Sequence, residues 1–367
     1  MKADPVRILL LGTGAMAERH VHFFQAIEGV QIAAGVDISE DRLKKFCDLH
    51  KIPKHFIDLD EAIAWGGFDA ISNVTPDAVH YPTTMKLVET GKPIFCEKPL
   101  APSYPLALEM AEAVEKRGIV NMVNLRYRGL PVMQMARALV EDGMIGEVRH
   151  IDASYLQSWL VGTHWGDWRT EERWLWRLSG AHGSRGALGD VGIHILDFAT
   201  YVADQNPVSV HCRMKAFGKA EGDRIGPYGL DANDSFVMSI ELDGGALGIV
   251  HASRWATGYA NAMQLAVFGT QGGLEIWFES EKMGLRVCAG PDVHTQTWRE
   301  VEPPAVPNTY EDFIEAVRTS ETMEPSFRRA AELQRVLDAA FESDRIGMAI
   351  RVDTLPPPFP VEAVVTA

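Results

Sequence analysis

Nowhere does the 367-residue chain carry the roughly 20 consecutive apolar residues that a bilayer-crossing helix needs. The apolar run in "MKADPVRILLLGTGAMAERH" is only about six residues long and has no twin arginine before it. It is too short for a secretory h-region and is read as a buried first strand. Cysteine is scarce. Cys47, Cys96, Cys212 and Cys288 are widely separated and form no CxxC pair, which argues against a disulfide framework or a thiolate zinc site. Reduced thiols and a cytoplasmic location are expected. Positive charge is in deficit, with 35 Lys plus Arg against 50 Asp plus Glu, a formal charge of −15. That balance argues against a broad nucleic-acid or anionic-membrane surface and leaves room only for a local basic pocket. No internal repeat is found. The length suits two domains better than one core.

What the chain does have begins with "VRILLLGTGAMAERHVHFFQAI", an apolar strand, a glycine turn and a helical pattern. Gly12, Gly14 and Ala17 form GxGxxA. The first glycine permits a tight turn and the second lets backbone approach a pyrophosphate. The alanine lets helix and strand pack closely, and the helix N-terminus faces the anion. A second strand, "VQIAAGVD", ends at Asp37, 20 residues beyond Ala17. An acid there can bond both adenosine ribose hydroxyls and repel a 2′-phosphate. The nearest arginine is Arg42, so NAD is favoured over NADP. "DAISNVTP" (69–76), "PIFCEKP" (93–99) and "GIVNMVNLR" (118–126) read as further strands of a doubly wound parallel sheet. Thr75, Pro76 and Glu97-Lys98-Pro99 then lie at strand carboxyl ends, where such sheets bind ligands.

Past residue 126 the pattern changes. "SFVMSIELDGGALGIVHASRW" and "MQLAVFGTQGGLEIWF" read as antiparallel hairpins. Helices are expected near 309–319 and 326–346, followed by a proline-rich tail, "DTLPPPFP" (353–360). In "GALGDVGIHILDF", at about 100° per residue, Asp190, His194 and Asp197 fall within roughly 60° of one another on a greasy helix. The stretch "WLVGTHWGDWRTEERWLWR" holds Trp159, Trp165, Trp168, Trp174 and Trp176, five of nine tryptophans. Indole faces stack on the C–H face of a sugar, while Arg and His read its hydroxyls.

The segments "GTGAMAERH", "NVTPDAVH", "FCEKPL", "NLRYRGLPVMQMARALVEDGMIGEV" and "GALGDVGIHILDF" occur in the order found in the Gfo/Idh/MocA oxidoreductases, which the chain resembles from about residue 5 to its C-terminal helices. The resemblance implies a Rossmann domain (1–126) and a second α/β domain (127–367) with a large open, predominantly antiparallel sheet. It implies NAD(P)-dependent oxidation or reduction of sugars, cyclitols and related polyols. It also implies a homo-oligomer, dimer or tetramer, and a cis bond before Pro99. In that family the lysine of the EKP segment and the Asp and His of the D-x-x-x-H helix line the reaction centre; here these are Lys98, Asp190 and His194. Two departures stand out. The loop often written as three glycines is "GSRG" (183–186), which adds Arg185 near the expected pocket mouth, and Asp77 stands where Asn is common.

Removing hydride from an alcohol needs a nicotinamide against the carbinol carbon, a base, and a group that steadies the alkoxide. His194 suits the base and Lys98 the cation, although the reverse assignment stays open. Asp190 would bond a neighbouring hydroxyl, and Asp197 would support from behind. The expected coenzyme site is Gly12, Thr13, Gly14, Ala15, Met16, Asp37, Thr75, Pro76, His80, Glu97 and Lys98. The expected substrate site is Arg126, Tyr127, Trp165, Trp176, Arg177, Arg185, Asp190 and His194, with His164, Arg169 and Arg173 weaker candidates. No metal is expected. By resemblance, an NAD-dependent glycoside hydrolase that oxidises transiently and eliminates the aglycone is the alternative to a net dehydrogenase. A non-enzymatic sugar sensor is the third reading.

Overall fold

The computed structural model describes residues 5–355; the prolines of the expected tail from residue 356 on lie outside the described residues. Two compact units emerge. One comprises residues 1–129 with 307–334, the other 130–306 with 335–367.

The first unit is built on six parallel strands: β1 (Val6–Leu11), β2 (Val30–Val36), β3 (Lys54–Phe56), β4 (Ala70–Asn73), β5 (Ile94–Cys96) and β6 (Asn121–Val123). Their order is β3-β2-β1-β4-β5-β6, the doubly wound arrangement that alternating apolar strands and helices foretold. Ile8, Leu9 and Leu10 of β1 have no exposed surface, as a central strand covered on both faces requires. The helix Ala15–Ala26 turns Ala17, His20, Val21 and Phe24 inward.

The expected division after residue 126 with everything later in a second domain is corrected on two counts. The boundary falls after Gly129, and residues 307–334 return to the first unit. The reason is packing. On the helix Thr309–Thr319, Tyr310 stacks on Phe23 with centroids 4.8 Å apart, and Phe313 lies 5.1 Å from Phe95, so this helix completes the first core.

The second unit carries a nine-stranded sheet. Its strands are β7 (Val148–Leu156), β8 (Pro207–Lys215), β11 (Ser235–Leu242), β12 (Leu247–Ser253), β13 (Ala262–Gly269), β14 (Gly272–Glu279), β15 (Lys282–Ala289), β16 (Arg299–Glu300) and β17 (Ile350–Arg351). A small ribbon, β9 (Arg224–Ile225) and β10 (Tyr228–Gly229), stands apart. The large sheet runs β16-β15-β14-β13-β7-β12-β11-β8-β17 and is antiparallel except where β12 pairs with β7. Strand alternation is plain in β11, where Phe236, Met238 and Ile240 are buried and Val237 is exposed. The helix Ile193–Ala203 is almost wholly buried. Among the described residues no helix is long and apolar enough to cross a membrane.

Candidate active site

In the first unit the GxGxxA turn behaves as its glycines demand. Gly12 has φ +95°, and a Cβ there would meet the Val74 carbonyl oxygen at 2.6 Å. Gly14, by contrast, would project a Cβ into open space. The protein itself does not require that glycine, and room is left for backbone to meet a pyrophosphate at the N-terminus of helix Ala15–Ala26. Ala15 and Met16 are exposed on the same turn.

Asp37 is buried and heavily bonded. Its carboxylate accepts from the Thr13 backbone N–H at 2.9 Å, the Thr13 hydroxyl at 2.7 Å and the Ser39 N–H at 2.9 Å. Arg42, reaching back from the first turn of helix Glu40–His50, adds two more bonds at 2.6 and 3.1 Å. Burial alone would raise this carboxyl; the bonds from Arg42, Ser39 and Thr13 outweigh it and bring it down to about 2. A cavity of about 490 Å³ opens beside the pair and is lined by Thr13, Ser39, Arg42 and Lys45 among others. The sequence made Asp37 a lone anion. Its charge is in fact compensated by Arg42.

Thr75 caps the end of β4 by bonding the Asn73 side-chain oxygen through its N–H and hydroxyl. His80, expected to touch coenzyme, has no exposed surface. Its Nε2 lies 2.7 Å from the Thr75 carbonyl and its Nδ1 2.7 Å from that of Pro99, so the ring ties two strand-end loops together. Glu97 is likewise turned inward. It accepts from Asn124 at 2.6 Å and from the Lys98 backbone N–H at 3.1 Å, and lies 2.8 Å from His20 Nε2. Burial would raise the Glu97 carboxyl, but His20, Asn124 and the Lys98 charge hold it below the usual carboxylate range. The Lys98–Pro99 bond is cis, and Lys98 is half-buried. Arg126 and Tyr127 lie in this first unit and bond each other, the guanidinium donating to the phenol oxygen at 2.6 Å; the Tyr127 ring is buried. Sequence reasoning missed His20 and Asn124. His20 could have been found three residues past Ala17, on the inward face.

In the second unit Asp190 sits in a π-helical turn, Leu188–Gly192, that runs into helix Ile193–Ala203. The expected continuous α-helical stripe is therefore interrupted, and π turns gather at functional sites because they re-aim side chains. His194 is 7% and Asp197 2% exposed, whereas the Asp190 side chain keeps 27%. Asp190 Oδ2 accepts from Arg177 at 3.3 Å and from Arg254 at 3.1 Å. Arg254, which the sequence reading did not single out, is 1% exposed. The signal was there: Val250 and Ala252 point inward along β12, and two residues on the next inward position is an arginine.

The tryptophans divide. Trp159 and Trp168 are buried core residues. Trp165 stacks on Trp174 with centroids 6.0 Å apart, and Arg177 lies over Trp176 at 4.7 Å. Trp165, Trp174 and Trp176 are half-buried. His164, Arg169 and Arg173 are exposed; Arg169 pairs with Asp167 and Arg173 with Glu171. Arg185 turns to the C-terminal helix, where it pairs with Asp338 at 3.1 Å and covers the Phe341 ring at 4.1 Å. Its cation is engaged there. Among the described residues no three His, Cys, Asp or Glu side chains are grouped as a metal site requires.

A glycine-turn Rossmann sheet in one unit, and a charged π turn carried beside a broad sheet in the other, define an oxidoreductase that uses a nicotinamide dinucleotide. The chain belongs to the Gfo/Idh/MocA family: residues 6–125 match its "Oxidoreductase family, NAD-binding Rossmann fold" and residues 133–275 its C-terminal domain. Among curated relatives, the levoglucosan dehydrogenase of Pseudarthrobacter phenanthrenivorans is 27% identical over 303 residues, covering 73% of this chain and 76% of that one. The D-glucoside 3-dehydrogenase of Escherichia coli is 26% identical over 254 residues, 67% of this chain and 70% of that one. The crystal structure of an oxidoreductase domain protein from Kribbella flavida matches with a TM-score of 0.85 at 26% identity, covering 95% of this chain and 100% of the other.

Proposed function

We propose that this protein oxidises a secondary hydroxyl of a cyclic sugar, glycoside or cyclitol, with NAD as the favoured coenzyme. The observation that carries the reading is Asp190 on a π turn that runs directly into the helix carrying His194, set within a chain whose Rossmann half has an open glycine cradle. Two named relatives, a levoglucosan dehydrogenase and a D-glucoside 3-dehydrogenase, act by name on ring sugars, which supports the substrate class. Half-buried Trp165 and Trp176 would stack on the ring's C–H face, with Arg177 bonding its hydroxyls.

The bound nicotinamide supplies the hydride acceptor. Gly12, Thr13, Gly14, Ala15 and Met16 would hold the pyrophosphate, Asp37 the adenosine ribose, and Thr75 and Pro76 the strand-end rim. Lys98 steadies the negative charge that grows on the carbinol oxygen. His194 receives the hydroxyl proton, a task suited to an imidazole whose ordinary pKa of about 6.5 lies near neutrality. Asp190 bonds the neighbouring hydroxyl and so fixes which carbon faces the coenzyme. His80 and Glu97, expected from the sequence among the coenzyme contacts, hold the loops that carry Thr75 and Lys98. Subunits are expected to pair through the open sheet. Screening ring sugars and cyclitols for NADH formation, with NADP in parallel, tests the reading; failure of every polyol to reduce either coenzyme overturns it.

A further inference from the structure

A buried guanidinium seldom sits beside a candidate catalytic carboxylate by accident of packing, because removing it from water is costly unless the charge is matched. Arg254 makes four contacts that together restrict what it can do. Its backbone N–H donates to the Asp234 carbonyl at 2.9 Å, fixing the residue directly after β12. One terminal nitrogen, Nη1, donates to the Arg177 carbonyl at 3.1 Å. The other, Nη2, donates to Asp190 Oδ2 at 3.1 Å, the same oxygen that Arg177 reaches from the other side at 3.3 Å. Trp159 closes one face of the guanidinium at 5.0 Å.

Those bonds make Arg254 a clamp. A planar guanidinium whose Nη1 is anchored to a backbone carbonyl presents Nη2 to the carboxylate at a set angle, and so restrains where Asp190 Oδ2 can lie. Asp190 stands on a π turn, where backbone geometry alone restrains a side chain less regularly than in an α-helix. Deeply buried Arg254 also ties the backbone of Arg177, the second arginine on Asp190, into the same unit.

We infer that Arg254 is a positioning residue for the oxidation, acting on the substrate only through Asp190 by holding its Oδ2 in one orientation. The inference rests on the role given to Asp190 above. It assigns to the second unit a built support that neither its π turn nor its tryptophans reveal, and it explains why an inward-facing arginine directly follows β12.

The test is a double-mutant cycle on the full-length enzyme with the best alcohol found in the polyol screen. R254M should lower kcat by about tenfold to a hundredfold while moving KM far less, because it disturbs an orientation needed in the transition state. NADH affinity, read by quenching of tryptophan fluorescence, should be unchanged in R254M. In a D190N background the same substitution should change kcat by less than about threefold, since its target is already disabled. R254K should keep more activity than R254M. The inference is overturned if the two losses multiply in the double variant, or if R254M retains wild-type kcat. If D190N alone turns over like wild type, it is the reading of Asp190 that fails, not merely its support. Should R254M prove unfolded in a melting scan, R254K carries the same cycle: reduced kcat alone and no further change with D190N support the clamp, and multiplied losses overturn it.

Discussion

Arg42 grips the Asp37 carboxylate with two hydrogen bonds, at 2.6 and 3.1 Å, and thereby offsets the charge expected to reject NADP. Two single substitutions separate the partners. Asp37→Ala removes the ribose acceptor and should weaken NADH about tenfold, or 1.4 kcal/mol, while narrowing the gap to NADPH. Arg42→Ala leaves Asp37 uncompensated and should widen that gap by weakening NADPH more than NADH. Titration of each coenzyme by fluorescence quenching checks both; equal shifts for the two coenzymes would contradict this division of roles.

A second prediction concerns stability. Lys219 and Asp234 form an ion pair at 2.9 Å with neither side chain exposed, and the Lys219 ammonium also donates to the Phe217 and Leu230 carbonyls. Removing one partner of a buried pair strands the other charge, so Lys219→Met should cost about 3–5 kcal/mol in urea unfolding. Adding Asp234→Asn should recover part of the loss. Because Asp234 also holds the backbone of Arg254, the single variant should lose activity at temperatures where it is still folded.

Acid stability should report on Glu97. Its carboxyl is held near 2, against an ordinary 4.5, by the competition of burial with bonds from His20 and Asn124. The folded state therefore binds this proton less readily than the unfolded state. The stabilisation is fully present above pH 4.5 and is lost as pH falls toward 2. Denaturant midpoints measured over that window should fall less steeply for Glu97→Gln than for wild type. Parallel curves would show that the carboxylate is not held as described.

How much of this was legible in the chain follows the range of each interaction. Gly12, Gly14, Ala17 and Asp37 could be read because turn and strand impose local spacings. The antiparallel strands of the second unit showed in their alternation and their glycine turns. The Arg42–Asp37 bonds could not be read, since a side chain folding back across a cap leaves no periodic mark. Nor could Tyr310: its helix was anticipated, but Asn124, whose side chain donates to its hydroxyl, lies 186 residues earlier in the chain. The π turn at Asp190 was also invisible, because one added residue per turn changes no composition. Arg185, an inserted charge in a glycine loop, was assigned to substrate; its partners Asp338 and Phe341 come from a distant helix.

The catalytic roles rest on chemistry rather than on packing. His194→Gln and Lys98→Met should each lower kcat by about 10²–10⁴-fold, the usual worth of a general base or a charge-stabilising cation, with NADH affinity nearly intact. The most direct measurement is a time course of wild-type protein and these two variants with NAD and a ring sugar or nitrophenyl glycoside, recording NADH and sugar products together. NADH accumulating mole for mole with a keto-sugar in wild type, and collapsing in both variants, is the expected result. Release of nitrophenol without net NADH, or near-normal turnover in both variants, would contradict it.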